Sequence, residues 1–340
     1  MTKAKRIFNI ILRIFSIWLF IFLIVNYESL KELTRFTASY YNYEYESKDT
    51  IPKSSEYKIL YDLTSRPDDT ILFKSRNRVG IGTDSMYIPI PKNYQRMRYI
   101  IKFLDSCKIR YNTLSIFDAS QHQLLFPDYN IFIKPGKSNS FKLITAHYDI
   151  LERDGYQGAL DNSASVAILL NLLRKNLEKF RDKNIAILLS TGEEQGLLGA
   201  KHFINYQKFH IHEVICLDGI GRGGLGAMNN SMGSFGFKYK NWFFQDKIFT
   251  GSEFKKCPKF QKIDGSVIDF QKYGIRALTP FLSSTDARVF SDAGIPTVHL
   301  ISDEIVHFLK VLHTNNDRVN GLDFKSLKQC EKILADYIRE

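Results

Sequence analysis

The sequence has few cysteines and no paired-cysteine motif. Only four of its 340 residues are cysteine, and no two of them stand in a C-x-x-C spacing. So few cysteines, without that motif, exclude a disulfide-dense scaffold. A single disulfide among Cys107, Cys216, Cys257 and Cys330 is still compatible with the sequence. Cys216 lies in an apolar run, and Cys330 lies on the apolar side of a helical pattern. Both are therefore predicted to be small core residues.

The chain also lacks clustered basic residues. Lys and Arg outnumber Asp and Glu by 47 to 36, which gives a formal net charge of +11. These cations are scattered, without a basic helix or a basic stripe interleaved with aromatic residues, so the pattern excludes nucleic-acid binding. A membrane surface is the better explanation of the positive charge. Repeats and low-complexity tracts are absent too, and 44% hydrophobic with 24% charged residues is typical of a globular protein.

One long apolar run is present, at the N-terminus. Residues 7–25 are apolar except for Asn9, Arg13 and Ser16, and at helical rise they match a hydrocarbon core of about 30 Å. No small residues mark a cleavage position, so an uncleaved transmembrane anchor is favoured over a signal peptide. The basic residues among positions 1–6 place the N-terminus in the cytoplasm. Everything after residue 26 is then extracytoplasmic, in a periplasmic, extracellular or lumenal space.

Three segments are predicted along the chain. Residues 1–25 form a cytoplasmic tip and anchor, residues 26–55 a stalk, and residues 56–340 the globular domain. Two amphipathic helices are expected at 56–65 and 93–107, separated by an irregular loop at 66–91. Apolar runs and helical patterns then alternate, which predicts an α/β fold with a mainly parallel or mixed central sheet and helices on both faces. The expected strands are 110–117, 130–134, 141–146, 184–189, 214–217 and 296–301, and the expected helices are 163–173, 196–206 and 322–338.

Two adjacent carboxylates, Glu193 and Glu194, follow one of these apolar runs and precede a helical pattern. In open α/β sheets ligands bind where strands end and helices begin. Neighbouring residues that leave a strand point in different directions. One carboxylate can therefore hold a metal while the other faces a water. A solvated acidic turn is the simpler alternative for an isolated pair of this kind.

Four further segments place a potential metal ligand at the end of an apolar run. Each of these ligands has a simpler alternative. His147 fits a strand-end histidine and Asp161 fits a helix N-cap. Asp218 fits a turn residue, and His313 fits a residue of a surface loop. Parallel strands bring their C-terminal ends to one edge, so all five ligands are expected in one crevice. Nitrogen and oxygen ligands without thiolate suit catalytic zinc, and five of them fit two metals that share one carboxylate. His307 is the one rival ligand.

These motifs resemble those of the zinc exopeptidases of peptidase clan MH, which include double-zinc leucyl-type aminopeptidases and glutaminyl cyclases. The resemblance covers residues 56–340 as a zinc peptidase domain with a three-layer sandwich fold. Order and spacing both agree for the five motifs, which are Thr145–Asp149, Gly158–Asn162, Thr191–Gly196, Leu217–Gly221 and Leu312–Thr314 with Asp317.

The resemblance implies a role for each of these residues. One zinc takes His147 and Asp218, the other takes Glu194 and His313, and Asp161 bridges the two. Glu193 is implied as the general base, and Asp149 as the group that holds the ring of His147.

The resemblance also implies an activity. The expected enzyme is a membrane-anchored zinc aminopeptidase that acts on peptides with a free N-terminus, through a zinc-bound water that Glu193 activates. A glutaminyl cyclase is the alternative, and a non-catalytic binding module on the same fold is a lesser one. One position departs from the family pattern. Ala287 follows Asp286 where a histidine is common, so oxyanion or substrate contacts are expected to differ, but metal binding is not. Asp286 remains available as a supporting group behind the ligands.

Overall fold

An eight-stranded mixed sheet forms the centre of the molecule. The computed structural model describes Tyr45 and residues 57–65, 69–76, 83–116, 126–206, 208–229, 259–261, 267–269, 276–278 and 285–339. The strands are β1 (Asp69–Arg76), β2 (Thr83–Ile90), β3 (Asn112–Ser115), β4 (Tyr129–Ile133), β5 (Ser140–His147), β6 (Ile185–Ser190), β7 (His210–Leu217), β8 (Leu225–Asn229), β9 (Lys259–Gln261), β10 (Val267–Asp269), β11 (Arg276–Leu278) and β12 (Thr297–Ser302).

The helices surround this sheet. They are α1 (Lys58–Thr64), α2 (Lys92–Ser106), α3 (Ala164–Asp182), α4 (Leu198–Tyr206), α5 (Asp286–Asp292), α6 (Ile305–Val311) and α7 (Phe324–Arg339). A π-helical turn at Ala159–Ser163 leads into α3, and a 3-10 turn at Val319–Gly321 precedes α7. The predicted helices at the start, middle and end of the domain are therefore present, with α3 extending to Asp182, well beyond its predicted end.

The strands of the central sheet follow the order β11-β8-β12-β7-β5-β6-β4-β3. The four inner strands from β12 to β6 are parallel, whereas β4 and β8 join them antiparallel on either side. The sheet is therefore mixed, which is one of the two alternatives predicted from the sequence. Register places His147 opposite Ser190 and Thr145 opposite Cys216, so the C-terminal ends of β5, β6 and β7 lie level at one edge.

Side-chain alternation along the strands separates two apolar layers. In β6, Ile185, Ile187 and Leu189 belong to the larger cluster, which also contains residues of α1, α2, α3 and α7. Ala186 and Leu188 point the other way and join the second cluster, with residues of α4 and α5. Because a strand covered on both faces has no need of polar residues, β6 reads as a continuous apolar run.

One predicted loop is wrong. Residues 66–91 were expected to be irregular, but β1 and β2 pair antiparallel within that range, with Asp69 opposite Ile90 and Arg76 opposite Thr83. The pattern misled because Ile71-Leu72-Phe73 breaks the apolar–polar alternation of a half-buried strand, and Pro89 stands inside the second strand. The pairing of the two strands is what establishes the structure here.

The cysteines behave as small core residues where they were predicted to. Cys216 and Cys330 are buried with free thiols, Cys107 is also free, and Cys257 lies outside the described residues. Burial raises the pKa of the Cys216 thiol well above its ordinary value, and that of Cys330 as well. Burial therefore disfavours the reactive thiolate form of both side chains.

The predicted anchor lies outside the described residues, as does the predicted stalk apart from Tyr45. Among the helices that the structure describes, none combines the length and the apolar character needed to cross a bilayer.

Candidate metal centre

The level ends of β5 and β7 bring the first three predicted ligands together. His147 is the last residue of β5, and Asp218 directly follows β7. Nε2 of His147 lies 3.0 Å from Oδ1 of Asp161 and 3.5 Å from Oδ1 of Asp218. These three residues, all buried, form one cluster with the spacing of metal ligands, which we call the first cluster.

The second cluster uses the other oxygen of Asp161. Nε2 of His313 lies 3.0 Å from Oε2 of Glu194 and 3.5 Å from Oδ2 of Asp161. The set Asp161, Glu194 and His313 again has metal-ligand spacing. Asp161 is not the N-cap of α3, since that position is Ser163 and no side chain caps the helix there. Its carboxylate does not cap the helix and instead lies between His147 and His313.

The donor atoms of both clusters fit zinc. Two donors each about 2.0 Å from one tetrahedral zinc ion are about 3.3 Å apart, and the four distances between histidine and carboxylate atoms are 3.0 and 3.5 Å in each cluster. Among the described residues, Oε1 of Glu194 is buried and makes no hydrogen bond. Buried polar atoms of this kind call for an explanation, and a bound cation supplies one.

The carboxylates create a strongly negative site. Burial opposes ionisation of Asp161, but hydrogen bonds and charges from His147 and His313 outweigh it and lower the pKa of Asp161. Hydrogen bonds to Asp161 and Glu194 raise the pKa of His313 to about 10. Burial lowers the pKa of His147, yet the charge of Glu193 and the neighbouring carboxylates raise it well above its ordinary value overall. Divalent cations would neutralise the same negative charge.

Glu193 interacts electrostatically with His147 of the first cluster and directly precedes Glu194 of the second, but it belongs to neither cluster. Burial raises its pKa well above the ordinary value, and the charges of Asp218 and Asp286 add to this effect while that of His147 opposes it. A carboxylate with a raised pKa accepts a proton more readily near neutral pH. Burial raises the pKa of Glu194 as well, so the difference between the two neighbours is that Glu194 belongs to the second cluster and Glu193 does not.

Asp149 contacts both clusters. Its Oδ1 lies 3.5 Å from Nδ1 of His147, and its backbone carbonyl lies 3.2 Å from the same nitrogen. The other carboxylate oxygen, Oδ2, accepts a hydrogen bond of 3.1 Å from the backbone N–H of Glu194. One side chain therefore touches the ring of the first cluster and the backbone that carries a ligand of the second.

Asp286 is buried at the end of β6. It accepts a hydrogen bond from the hydroxyl of Ser190, the last residue of that strand. Burial raises the pKa of Asp286 to about 7. Ala287, the position that departs from the family pattern, is fully buried beside it.

Three supporting residues had no role in the sequence analysis. Asn162 donates a hydrogen bond of 2.8 Å to the carbonyl of Leu217, next to Asp218. Asp317 accepts hydrogen bonds from the turn that carries Asp161, and Tyr156 donates a bond to Asp317. Burial and the charge of Asp161 raise the pKa of Asp317 to about 7. Asp317 stands four residues after His313 in the same motif, but the motif does not indicate its partners, which lie far away in sequence.

His307 takes no part in either cluster. Its buried ring stacks against Tyr45, with ring centroids 6.1 Å apart. The position of His307 is therefore explained by an aromatic contact and not by metal binding. The five residues that the sequence analysis singled out are the ones that the two clusters contain.

Known proteins show similarities of two kinds. Over 148 residues the chain is 32% identical to a vacuolar membrane protease of Leptosphaeria maculans, a match that covers 41% of this chain and 18% of that protein. The match thus spans less than a fifth of that relative's length. The LapA aminopeptidase of Legionella pneumophila has a similar fold, with a TM-score of 0.56 and 12% identity over 90% of this chain and 73% of its own.

The glutaminyl cyclase of Porphyromonas gingivalis also has a similar fold, with a TM-score of 0.55 and 17% identity over 84% of this chain and 96% of its own. At such identities the likeness concerns the fold alone, and the same fold serves an aminopeptidase and a cyclase. Residues 130–338, more than half of the chain, match the family model of peptidase family M28. The chain therefore belongs to peptidase family M28, and its resemblance to the zinc exopeptidases of clan MH is confirmed.

Proposed function

We propose that this chain is a zinc-dependent aminopeptidase, held at a membrane by its N-terminal segment, that hydrolyses N-terminal residues from peptides. The observation that carries the proposal is the position of Asp161, whose two oxygens face His147 and His313 separately. Each histidine also faces a second carboxylate. A single tetrahedral zinc with an open position has no use for five such donors, whereas two ions that share a carboxylate use them all.

Each cluster would hold one zinc ion. His147, Asp161 and Asp218 would bind the first, and Asp161, Glu194 and His313 the second. Zinc at such a site would supply Lewis-acid chemistry: it polarises a carbonyl and lowers the pKa of water towards about 7.

Glu193 is the proposed general base and acid. A carboxylate oxygen of Glu193 accepts a proton from the attacking water as the new carbon–oxygen bond forms. Glu193 then donates that proton to the nitrogen of the leaving amine as the peptide carbon–nitrogen bond breaks. Its partly buried position among carboxylates supports this role because it raises the pKa of the side chain.

Asp149 would fix the site. Its backbone carbonyl lies 3.2 Å from Nδ1 of His147 and its carboxylate 3.5 Å from the same nitrogen, and together they would hold the ring with Nε2 directed at Asp161 and Asp218. Such carboxylate–histidine pairs set the tautomer of a ligand histidine and increase its basicity. Asp286 would support the same edge through its bond with Ser190, at the end of the strand that leads to Glu193.

The fold is compatible with a glutaminyl cyclase as well, so the choice depends on the site. A complete set of five donors favours the two-zinc peptidase, because the cyclases typically use one zinc. A non-catalytic binding module is less well supported, since neither Glu193 nor any of the proposed ligands has been lost.

The membrane proposal has two supports. The apolar run at 7–25 with basic residues before it is typical of an uncleaved anchor. In addition, a relative that is 32% identical over 148 residues is named a vacuolar membrane protease. The catalytic domain would then lie in a periplasmic, extracellular or lumenal space.

Replacing the base tests the chemical step. Glu193→Gln preserves the shape of the side chain but removes its ability to accept a proton. General-base catalysis contributes about 10²–10⁴-fold, so kcat should fall by about that factor while zinc content and KM change little. Steady-state kinetics and metal analysis measure both. Glu178→Gln, an exposed site on α3, is the matched control. Wild-type kcat in Glu193→Gln would refute the role.

Substrate choice separates the aminopeptidase from its rivals. The enzyme should release N-terminal residues from short peptides and should fail on the same peptides after N-acetylation, because an exopeptidase recognises the free amine. Amino-acid release measured by chromatography decides this. Equal cleavage of blocked and free peptides excludes an aminopeptidase. Ammonia release from N-terminal glutaminyl peptides without bond cleavage indicates the cyclase instead.

The topology is tested separately. A reporter that is active only outside the cytoplasm, fused after Glu340, should be active, and the protein should remain in the membrane fraction with its N-terminal segment intact. A reporter active only in the cytoplasm in the same position should be silent. The opposite pattern, or a mature N-terminus beyond residue 25, would contradict an uncleaved anchor.

A further inference from the structure

The turn that carries Asp161 is tied to two other parts of the site. At one side, the Asn162 amide donates a hydrogen bond to the carbonyl of Leu217, the residue before Asp218. At the other side, the backbone N–H groups of Leu160 and Asp161 donate to Asp317. The first tie joins Asp161 to a member of the first cluster. The second joins Asp161 to the loop that carries His313, a member of the second cluster.

Asp317 makes the second tie with both of its carboxylate oxygens. Oδ1 accepts a hydrogen bond of 2.6 Å from the N–H of Leu160, and Oδ2 accepts one of 3.2 Å from the N–H of Asp161. The hydroxyl of Tyr156 donates to Oδ2 as well, at 3.2 Å, and lies 3.5 Å from the carbonyl of Asp161. Asp317 and Tyr156 are both buried, so water does not compete for these bonds.

The loop at His313 needs such support. His313 has a φ of +58°, a left-handed conformation that residues with a side chain seldom adopt. Arg153 donates a hydrogen bond of 3.0 Å to the carbonyl of His313, but this bond is exposed to solvent. The buried bonds to Asp317, four residues further on, are the ones shielded from water. They connect this loop directly to the backbone of Asp161.

We propose that Asp317 is a positioning residue that sets the distance between Asp161 and His313, and so controls the affinity of the second cluster for zinc more than that of the first. The inference rests on the proposed two-zinc site. The hydrogen bonds of Asp317 join it to Tyr156 and to backbone N–H groups, so it acts through the backbone of Asp161 and through its own loop. The first cluster keeps its separate tie through Asn162.

Asp317→Asn tests the proposal with little change in shape. An amide has one acceptor oxygen, so in either orientation one backbone N–H of the turn faces an NH₂ group. Loss of a group that orients metal ligands typically costs about 10–100-fold in metal affinity. Full-length protein in detergent, stripped of metal with a chelator, is titrated with zinc against a competing indicator. Wild type should bind in two steps, and Asp317→Asn should weaken one of them about 10–100-fold while the other changes little.

Two further variants sharpen the test. Tyr156→Phe removes one bond to Asp317 and should weaken the same step by a smaller factor. Asp154→Asn changes an exposed carboxylate in the same loop as Tyr156 and should bind zinc like wild type. Thermal unfolding of the zinc-free proteins provides a readout of general destabilisation: Asp154→Asn should match wild type there, and Tyr156→Phe should unfold at a slightly lower temperature because it loses a buried hydrogen bond.

The outcomes distinguish the two levels of the proposal. Fewer than two binding steps in wild type would defeat the two-zinc site itself. Two wild-type steps that remain unchanged in Asp317→Asn, or that weaken equally in it, would defeat the positioning role alone. If Asp317→Asn fails to fold, Tyr156→Phe decides, and unchanged zinc affinity in that variant contradicts the proposal.

Discussion

One carboxylate faces two histidines, and the rest of the site is built to make that possible. Asp161 presents Oδ1 to His147 and Oδ2 to His313, so its backbone must hold a fixed position between a strand end and a loop. The turn achieves this with a left-handed Gly158, where an added Cβ would meet a side-chain carbon of Ile150 at 2.3 Å and the carbonyl of Asp161 at 2.7 Å. Ser163 closes the turn through a hydrogen bond to the carbonyl of Gly158.

Placing so many carboxylates together is electrostatically unfavourable, and hydrogen bonds within the site offset part of this unfavourable free energy. Burial raises the pKa of Glu193 and of Asp286, which shows how strongly the surroundings disfavour charge there. Hydrogen bonds from Ser190, from the backbone of Glu194 and from the Asp161 turn reach Asp286, Asp149 and Asp317. An excess of carboxylates over cations remains at the sheet edge, although the chain as a whole carries a formal net charge of +11. Zinc in the proposed sites would supply the counter-charge, and the raised pKa suits the general-base role proposed for Glu193.

Much of this arrangement was predictable because the inner strands are continuous apolar runs, each with a polar residue at its end. That pattern located His147, Glu193, Glu194 and Asp218, and parallel pairing explains why they meet. The hairpin of β1 and β2 was missed because neither strand alternates cleanly. The support of Asp317 was missed for a different reason: it bonds to Leu160, 157 residues away in sequence, and no local pattern reports such a contact.

The sharing of Asp161 between two zinc ions is the central claim, and zinc content per chain measures it most directly. Full-length wild type, Asp161→Ala and Glu193→Gln are purified, equilibrated with zinc, freed of loosely bound metal and analysed for zinc and protein together. Two zinc ions per chain are expected in wild type and in Glu193→Gln, and neither ion should be retained by Asp161→Ala. Zinc binding by Asp161→Ala equal to that of wild type would contradict the shared carboxylate.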